Sequence, residues 1–209
     1  MASLERYRTA AGFGEGRFEE KKSVFIGAVR PLDTFDEARA FLLERKEKYP
    51  DANHHVWAFL NREGNVVRFD DDAEPKGTGG VPVLEVLKKE SLTGLCVVVT
   101  RYFGGILLGA GGLARAYARG ARVALEASGT AVFSRREVLS FSLPYAAFSK
   151  AEYELEKRGV PILSKSFSDR VFCEVLCGDA EKAHLAALLS DLTQGAAAPA
   201  FVRFEFAKD

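Results

Sequence analysis

The sequence is short of the residues from which most catalytic and metal sites are built. It has three histidines, three cysteines, one methionine and one tryptophan in 209 residues. The odd cysteine count, with no C-x-x-C pair, excludes a disulfide framework and a zinc ribbon. Cys96 lies in the apolar run Leu95-Cys96-Val97-Val98-Val99, and Cys173 and Cys177 lie four apart in another. Four residues of extended chain put two side chains on one face but about 13 Å apart, beyond disulfide reach. All three therefore read as reduced core residues, and the compartment as cytoplasmic. No apolar run approaches the roughly 18 residues of a membrane span. Met1 to Ala10 carries Glu5, Arg6 and Arg8 with no apolar segment, so no signal peptide is expected. Neither charge sign is in surplus: 29 basic side chains balance 29 acidic ones. That excludes a generally basic nucleic-acid coat but leaves room for a local patch.

Several motifs are missing as well. There is no H-E-x-x-H, no calcium-loop spacing and no G-x-S-x-G elbow. The glycine-rich stretch has neither the G-K-[ST] of a P-loop nor the G-x-G-x-x-G of a dinucleotide turn. No metal or cofactor is expected.

What is present is an ordinary globular composition, 47% apolar and 28% charged. Strands are expected over 16–20 and 24–29, joined by Lys21-Lys22-Ser23. A helix follows over 35–49, capped by Asp33 or Thr34 with Glu37 closing a capping box. A hairpin spans 54–60 and 65–70. A loop then runs over 71–80, followed by a short helix over 81–89 with Pro82 in its first turn. A buried strand is read over 95–100 and a helix over 113–127. The remainder reads as a strand over 139–143, a helix over 149–158, strands over 162–167 and 171–177, a helix from an Asp179 cap to Ser190, and a strand over 201–206. That order, β-α-β-β-α-β, is the split unit of ferredoxin-like domains. The expected class is α+β with two domains, 1–137 and 138–209. Residues 1–137 carry a formal charge of +2 and the remainder −2.

Three places could carry chemistry. The first is the acidic loop of Asp70, Asp71, Asp72 and Glu74, with His54 and His55 on the preceding strand. A carboxylate–histidine pair there could move protons. The alternative is that the carboxylates cap the loop and the next helix, and that adjacent His54 and His55 point to opposite faces of their strand. The second is Arg101-Tyr102-Phe103-Gly104-Gly105-Ile106-Leu107-Leu108-Gly109-Ala110-Gly111-Gly112, between a strand and a helix. Backbone N–H groups in that setting can cradle an anion, or the glycines can simply permit tight turns. The third is Arg115, Arg119 and Arg122, which fall within roughly 60° on one helix face. No acidic residue occurs between Glu90 and Glu126. With the helix starting near Gly112, Arg115 falls in its first turn, where a cation opposes the helix dipole. Either a bound anion or an ion pair with Asp71 or Asp72 would compensate.

Two segments carry a resemblance. Asp71-Asp72-Ala73-Glu74-Pro75-Lys76-Gly77-Thr78-Gly79-Gly80-Val81-Pro82-Val83-Leu84 is similar to D-D-G-E-P-x-G-T-x-G-x-P-x-L. Val98 to Gly105, Leu108 to Leu113, and Ala116-Tyr117 are similar to V-V-x-R-Y-[FY]-G-G-x-x-L-G-x-G-G-L-x-x-A-Y. Together with Lys21-Lys22-Ser23 they resemble the YigZ/IMPACT family over essentially the whole chain. Ala73 stands where the family has glycine, which makes a positive φ there less comfortable, and Val24 stands where a basic residue is common. The resemblance implies an N-terminal domain like that of small-subunit ribosomal proteins and the tip of elongation factor G. It implies a C-terminal domain like the last domain of that factor. Eukaryotic relatives regulate translation.

Two functions follow. The preferred one is a non-enzymatic factor in translation or its regulation. It would bind RNA, the ribosome or a translation-associated protein through Arg101, Gly104, Gly105, Gly109, Gly111, Gly112, Arg115, Arg119 and Arg122. The motif loop of Asp71, Asp72, Glu74, Pro75, Gly77, Thr78 and Pro82 would then be structural. The alternative is a hydrolase or phosphoryl-type enzyme acting on an anionic substrate with His54, His55, Asp72 and Glu74. The two separate on whether Asp71, Asp72 or Glu74 converges with a histidine within hydrogen-bond reach at the mouth of one pocket.

Overall fold

A computed structural model describes residues 4–209, so the signal-peptide reading of Met1 to Ala10 falls partly outside the described residues. Packing divides the chain into a first unit ending at Phe133, to which Asp209 also belongs, and a second unit, Ser134–Lys208.

The first unit contains β1 (Arg6–Ala10), β2 (Gly14–Glu20), β3 (Ser23–Pro31), α1 (Phe35–Lys48), β4 (His54–Leu60), β5 (Val67–Asp70), α2 (Gly80–Lys89), β6 (Leu95–Tyr102) and α3 (Ala110–Ser128). Its sheet runs β2-β3-β6-β4-β5, and each neighbouring pair is antiparallel. The centre of this sheet, β6, is apolar without alternation because both its faces are covered. Leu95, Val97 and Val99 join the core that includes Leu87 of α2 and Leu113 and Tyr117 of α3. Cys96 and Val98 pack with Ala38 and Phe41 of α1 on the other face. The long helix α3 can lie on the sheet because glycine stands at two crossing points. A Cβ on Gly27 would sit 1.9 Å from the Gly120 carbonyl oxygen, and one on Gly120 would sit 2.5 Å from Val99 Cγ1. Thr34 caps α1 in a full capping box with Glu37. Arg45, on the buried face of α1, extends its guanidinium to Glu15.

The second unit contains most of β7 (Thr130–Leu143), then α4 (Tyr145–Lys157), β8 (Ile162–Phe167), β9 (Val171–Cys177), α5 (Asp179–Thr193) and β10 (Ala200–Lys208). β7 pairs with β9 and β10, and β8 pairs with β9, giving the order β10-β7-β9-β8 of a ferredoxin-like sheet. Leu139, Phe141, Cys173 and Val175 face Leu155 of α4 and Leu185 and Leu189 of α5. All three cysteines are free and buried.

Several boundaries differ from the sequence reading. β1 has no apolar alternation to announce it. β7 is longer than its apolar end, because Ser134, Arg135 and Arg136 extend it. Helix α4 starts at Tyr145, directly after Pro144, and Gly178 rather than Asp179 is the N-cap of α5. The most consequential shift is in α3, which begins at Ala110 instead of Gly112. Glycines are poor formers of a helix interior but stand at no loss in a first turn, whose N–H groups lack intrahelical partners anyway.

Candidate functional site

The acidic loop divides its work residue by residue. Asp71 closes it: Oδ2 accepts from the Gly77 N–H at 2.7 Å, and Oδ1 from the N–H groups of Gly79 and Gly80 at 2.9 and 2.8 Å. Burial pushes the Asp71 pKa up, but the three backbone donors outweigh it and hold the carboxyl below its ordinary value. Asp72 accepts from the His55 backbone N–H at 2.6 Å and from Lys46 Nζ at 3.2 Å, which ties the loop to β4 and α1. Thr78 donates from its hydroxyl to the Pro75 carbonyl at 2.6 Å. Pro82 lies in the first turn of α2. Asp72 and Ala73 both take positive φ, +44° and +68°, so alanine occupies the left-handed position that the resemblance gives to glycine.

That turn directs Glu74 inward. Only 8% exposed, it lies between β6 and α3. Its Oε1 accepts from Arg101 Nη1 at 2.5 Å and from the Tyr117 hydroxyl at 2.6 Å. Burial, then the bond to Glu74, drive the Tyr117 pKa far above its ordinary value, so the phenol is a fixed donor. The sequence places Arg101 in the anion-binding set. It is instead 4% exposed and neutralised by Glu74. A lone arginine at the end of an apolar strand needs a buried counter-charge, and the loop supplies one.

The two histidines separate as strand geometry requires. His55 faces α1, buried, with Nδ1 3.0 Å from Thr100 Oγ1. Burial depresses its pKa. It leaves the candidate catalytic set, as does Asp72, whose side chain serves backbone and Lys46. His54 is the cross-strand neighbour of Arg101 and faces α3. Its Nδ1 lies 2.8 Å from the Asp72 carbonyl, which can only accept, so Nδ1 carries the hydrogen. Its Nε2 lies 3.7 Å from Glu74 Oε1. Glu74 and His54 therefore meet at one pocket, of about 410 Å³, at a separation just beyond a hydrogen bond. Asn53, Pro75, Phe103, Leu107 and Leu113 wall it, and Gly109 and Ala110 form part of its lining. Among the described residues, no group of three or more His, Cys, Asp and Glu side chains converges as a metal site.

The glycine-rich loop is built against the Lys21-Lys22 turn. A Cβ on Gly104 would sit 2.0 Å from the Lys22 carbonyl carbon, and the Gly104 N–H donates to Ser23 Oγ at 3.2 Å. Gly105 and Gly109 take φ of +80° and +73°, and Gly109 starts α3. The first backbone bond of the helix is Leu113 N–H to the Gly109 carbonyl. The N–H groups of Ala110, Gly111 and Gly112 take no partner among the described residues. Arg115 is thus in the second turn, not the first. Its Nη1 lies 3.5 Å from where a Cβ on Gly111 would stand, so the guanidinium reaches back toward the helix start. It makes no ion pair with Asp71 or Asp72. Beside it, a cleft of about 230 Å³ is lined by Glu20, Lys21, Gly112, Arg115 and Arg119.

The other arginines are less available. Arg119 lies 3.7 Å from Glu20 Oε2 and stacks 4.3 Å over the Phe18 ring. Arg122 is exposed, but the groove it borders also carries Glu85, Lys89 and Glu90. The acid-free stretch of sequence is therefore not acid-free in space. Sequence reasoning assigned no role to Tyr117 or Lys21. Tyr117 sat on the apolar side of its helix, where only its hydroxyl signalled that a partner was needed.

Comparison with known proteins places this geometry in a family. Residues 21–125 match the Impact N-terminal domain, and residues 141–196 match a domain of unknown function, DUF1949. The chain is 35% identical over 193 residues to the IMPACT family member YvyE of Bacillus subtilis, covering 92% of this chain and 89% of that protein. It is 32% identical over 180 residues to the IMPACT family member YigZ of Escherichia coli, covering 85% and 88%. A solved structure described as that of an hypothetical protein aligns with a TM-score of 0.66 at 29% identity, over 96% of this chain and 99% of that one. The chain belongs to the IMPACT family.

Proposed function

We propose that this protein is a non-enzymatic factor of translation or its regulation that holds RNA phosphates at the start of α3. One observation carries the reading. Three unpartnered N–H groups at Ala110, Gly111 and Gly112 stand beside the exposed cations Arg115 and Lys21, and no carboxylate pairs with either cation among the described residues. Helix N-termini attract anions through oriented N–H groups and the helix dipole, and cations at the same place select phosphate. Such contacts attach without reading sequence. Arg122, about 10 Å further along the helix, offers the backbone a second point. The three free cysteines suit the reducing compartment in which ribosomes work, and no helix among the described residues is long and apolar enough to cross a membrane. Ribosome co-sedimentation at low and high salt tests the reading: association at low salt that is lost at high salt supports it, and none at low salt refutes it.

A hydrolytic reading has one observation in its favour, the meeting of His54 and Glu74 at a pocket. His54, with Nδ1–H fixed, would be the base. Release of product from RNA or nucleotides by the protein, abolished by His54→Gln, would favour it.

A further inference from the structure

We infer that the pocket between the acidic and glycine-rich loops seats one unstacked guanine nucleotide, its base toward Glu74 and His54 and its phosphate on the first turn of α3. The inference rests on the RNA reading and names the part of the RNA that this reading leaves open.

The volume, about 410 Å³, suits one small-molecule-sized group. Its floor is polar and incompletely satisfied. Glu74 Oε1 is occupied by Arg101 and Tyr117, but Oε2 takes no hydrogen bond among the described residues. Glu74 is nevertheless more than nine-tenths buried and lines the pocket. Oε2 is not among the sealed, unpartnered atoms of the interior, so a ligand N–H entering the pocket can reach it and supply a donor. Arg101 Nε, sealed beneath the pocket, has no partner among the described residues. One wall is aromatic and open: Phe103 is 44% exposed, with the Arg101 guanidinium 5.3 Å from its ring centroid. Leu107 is 82% exposed at the rim. An exposed ring above a polar floor matches what an unstacked base presents, a π-face and a hydrogen-bonding edge. Ala110, the first of the residues with an unpartnered N–H, lines the same rim, so a phosphate at the helix start lies next to the pocket.

The floor also selects among bases. Glu74 accepts, and His54, whose Nδ1–H is committed to the Asp72 carbonyl, turns Nε2 toward the pocket as its one possible acceptor. Two acceptors side by side call for two adjacent donors. On their Watson–Crick edges only guanine, with N1–H and the N2 amino group, presents such a pair among the four bases. Adenine, cytosine and uracil each set their single donor beside acceptors.

The test is calorimetric titration of the full chain with the 5′-monophosphates of guanosine, adenosine, cytidine and uridine, and with inorganic phosphate. The guanosine nucleotide should bind tighter than the other three by about 5- to 150-fold, the range of one good bidentate base contact. Phe103→Ala should weaken it by a similar factor, that of one lost stacking contact, and leave inorganic phosphate unchanged. Glu74→Gln should erase the guanine preference. Because that change removes the counter-charge of buried Arg101, the exposed Phe103 variant keeps the test decisive if Glu74→Gln fails to fold. Equal binding of the four nucleotides, guanosine monophosphate binding no tighter than inorganic phosphate, or indifference to Phe103→Ala would each overturn the inference. If base preference is absent while salt-dependent RNA binding persists and falls in Arg115→Ala, the pocket inference fails and the RNA reading stands. Guanine-selective binding without RNA or ribosome association would sink the RNA reading instead.

Discussion

The turn between β2 and β3 is built from residues that ill suit it. Glu20 pairs with Ser23, leaving Lys21 and Lys22 as a two-residue hairpin loop, and both take positive φ, +45° and +64°. Such loops favour Asn-Gly, because a side chain in the left-handed region costs about 1–2 kcal/mol. Replacing Lys21-Lys22 by Asn-Gly should relieve most of that at position 22 and part at 21. Glycine's extra freedom in the unfolded chain takes back about 0.5–1 kcal/mol. The net gain should be about 1 kcal/mol, or a rise in Tm of about 2–4 °C for a chain of this size. Lys21 also lines the cleft with Gly112 and Arg115. Its loss should reduce the slope of log K against log salt on single-stranded RNA by about 0.7. The variant should therefore be more stable and bind less, with both read from one melt and one salt series. Failure to gain stability would refute the strain argument. A gain with an unchanged slope would mean that the lysines do not touch phosphate and the strain is merely tolerated.

Other expectations follow from the buried cluster and its loop. Tyr117→Phe removes the donor 2.6 Å from Glu74 without changing shape and should lower stability in urea by about 1.5–3 kcal/mol, the value of a hydrogen bond to a charged group; no change would mean Arg101 alone satisfies Glu74. Ala73→Gly frees a residue held at φ +68° and should raise stability by up to about 1 kcal/mol; a lower Tm would contradict the backbone assignment. His55 has a depressed pKa in the fold, mainly through burial, against 6.5 as its ordinary value. Its contribution is complete above 6.5 and is lost as pH falls from there toward the lower folded value, because the unfolded chain binds the proton first. Melts at about pH 7.5 and pH 5.5 should show that loss, and His55→Gln should flatten it.

Much of the scaffold was legible because its signals are local. The capping box of Thr34 and Glu37, the uninterrupted apolar strand around Cys96, and the opposite facing of His54 and His55 all follow from periodicity or cap chemistry within a few residues. The ferredoxin-like order of the second unit followed from alternation in the same way. The site was legible only in part, because its decisive contacts join distant segments. Glu74, Arg101 and Tyr117 lie on three elements, and no single window shows that one carboxylate oxygen serves the other two. Composition along the chain also misled. The acid-free interval around Arg122 is adjoined in space by Glu85 and Glu90, which belong to α2. Gly111 and Gly112 read as loop but form a helix's first turn, which moved Arg115 along the helix while its guanidinium still reaches back to that turn.

The central claim, that RNA phosphate is held at the start of α3, is tested most directly by one titration series. The full chain, Arg115→Ala and the Arg115→Ala/Arg122→Ala pair would be titrated against single-stranded RNA over about 50–200 mM salt. Each lost contact should reduce the slope by about 0.7 and weaken binding at every salt concentration. Both arginines are exposed and have no ion-pair partner among the described residues, so the melting curves should not move. Parallel slopes for all three proteins, or loss of binding only with loss of fold, would contradict the claim.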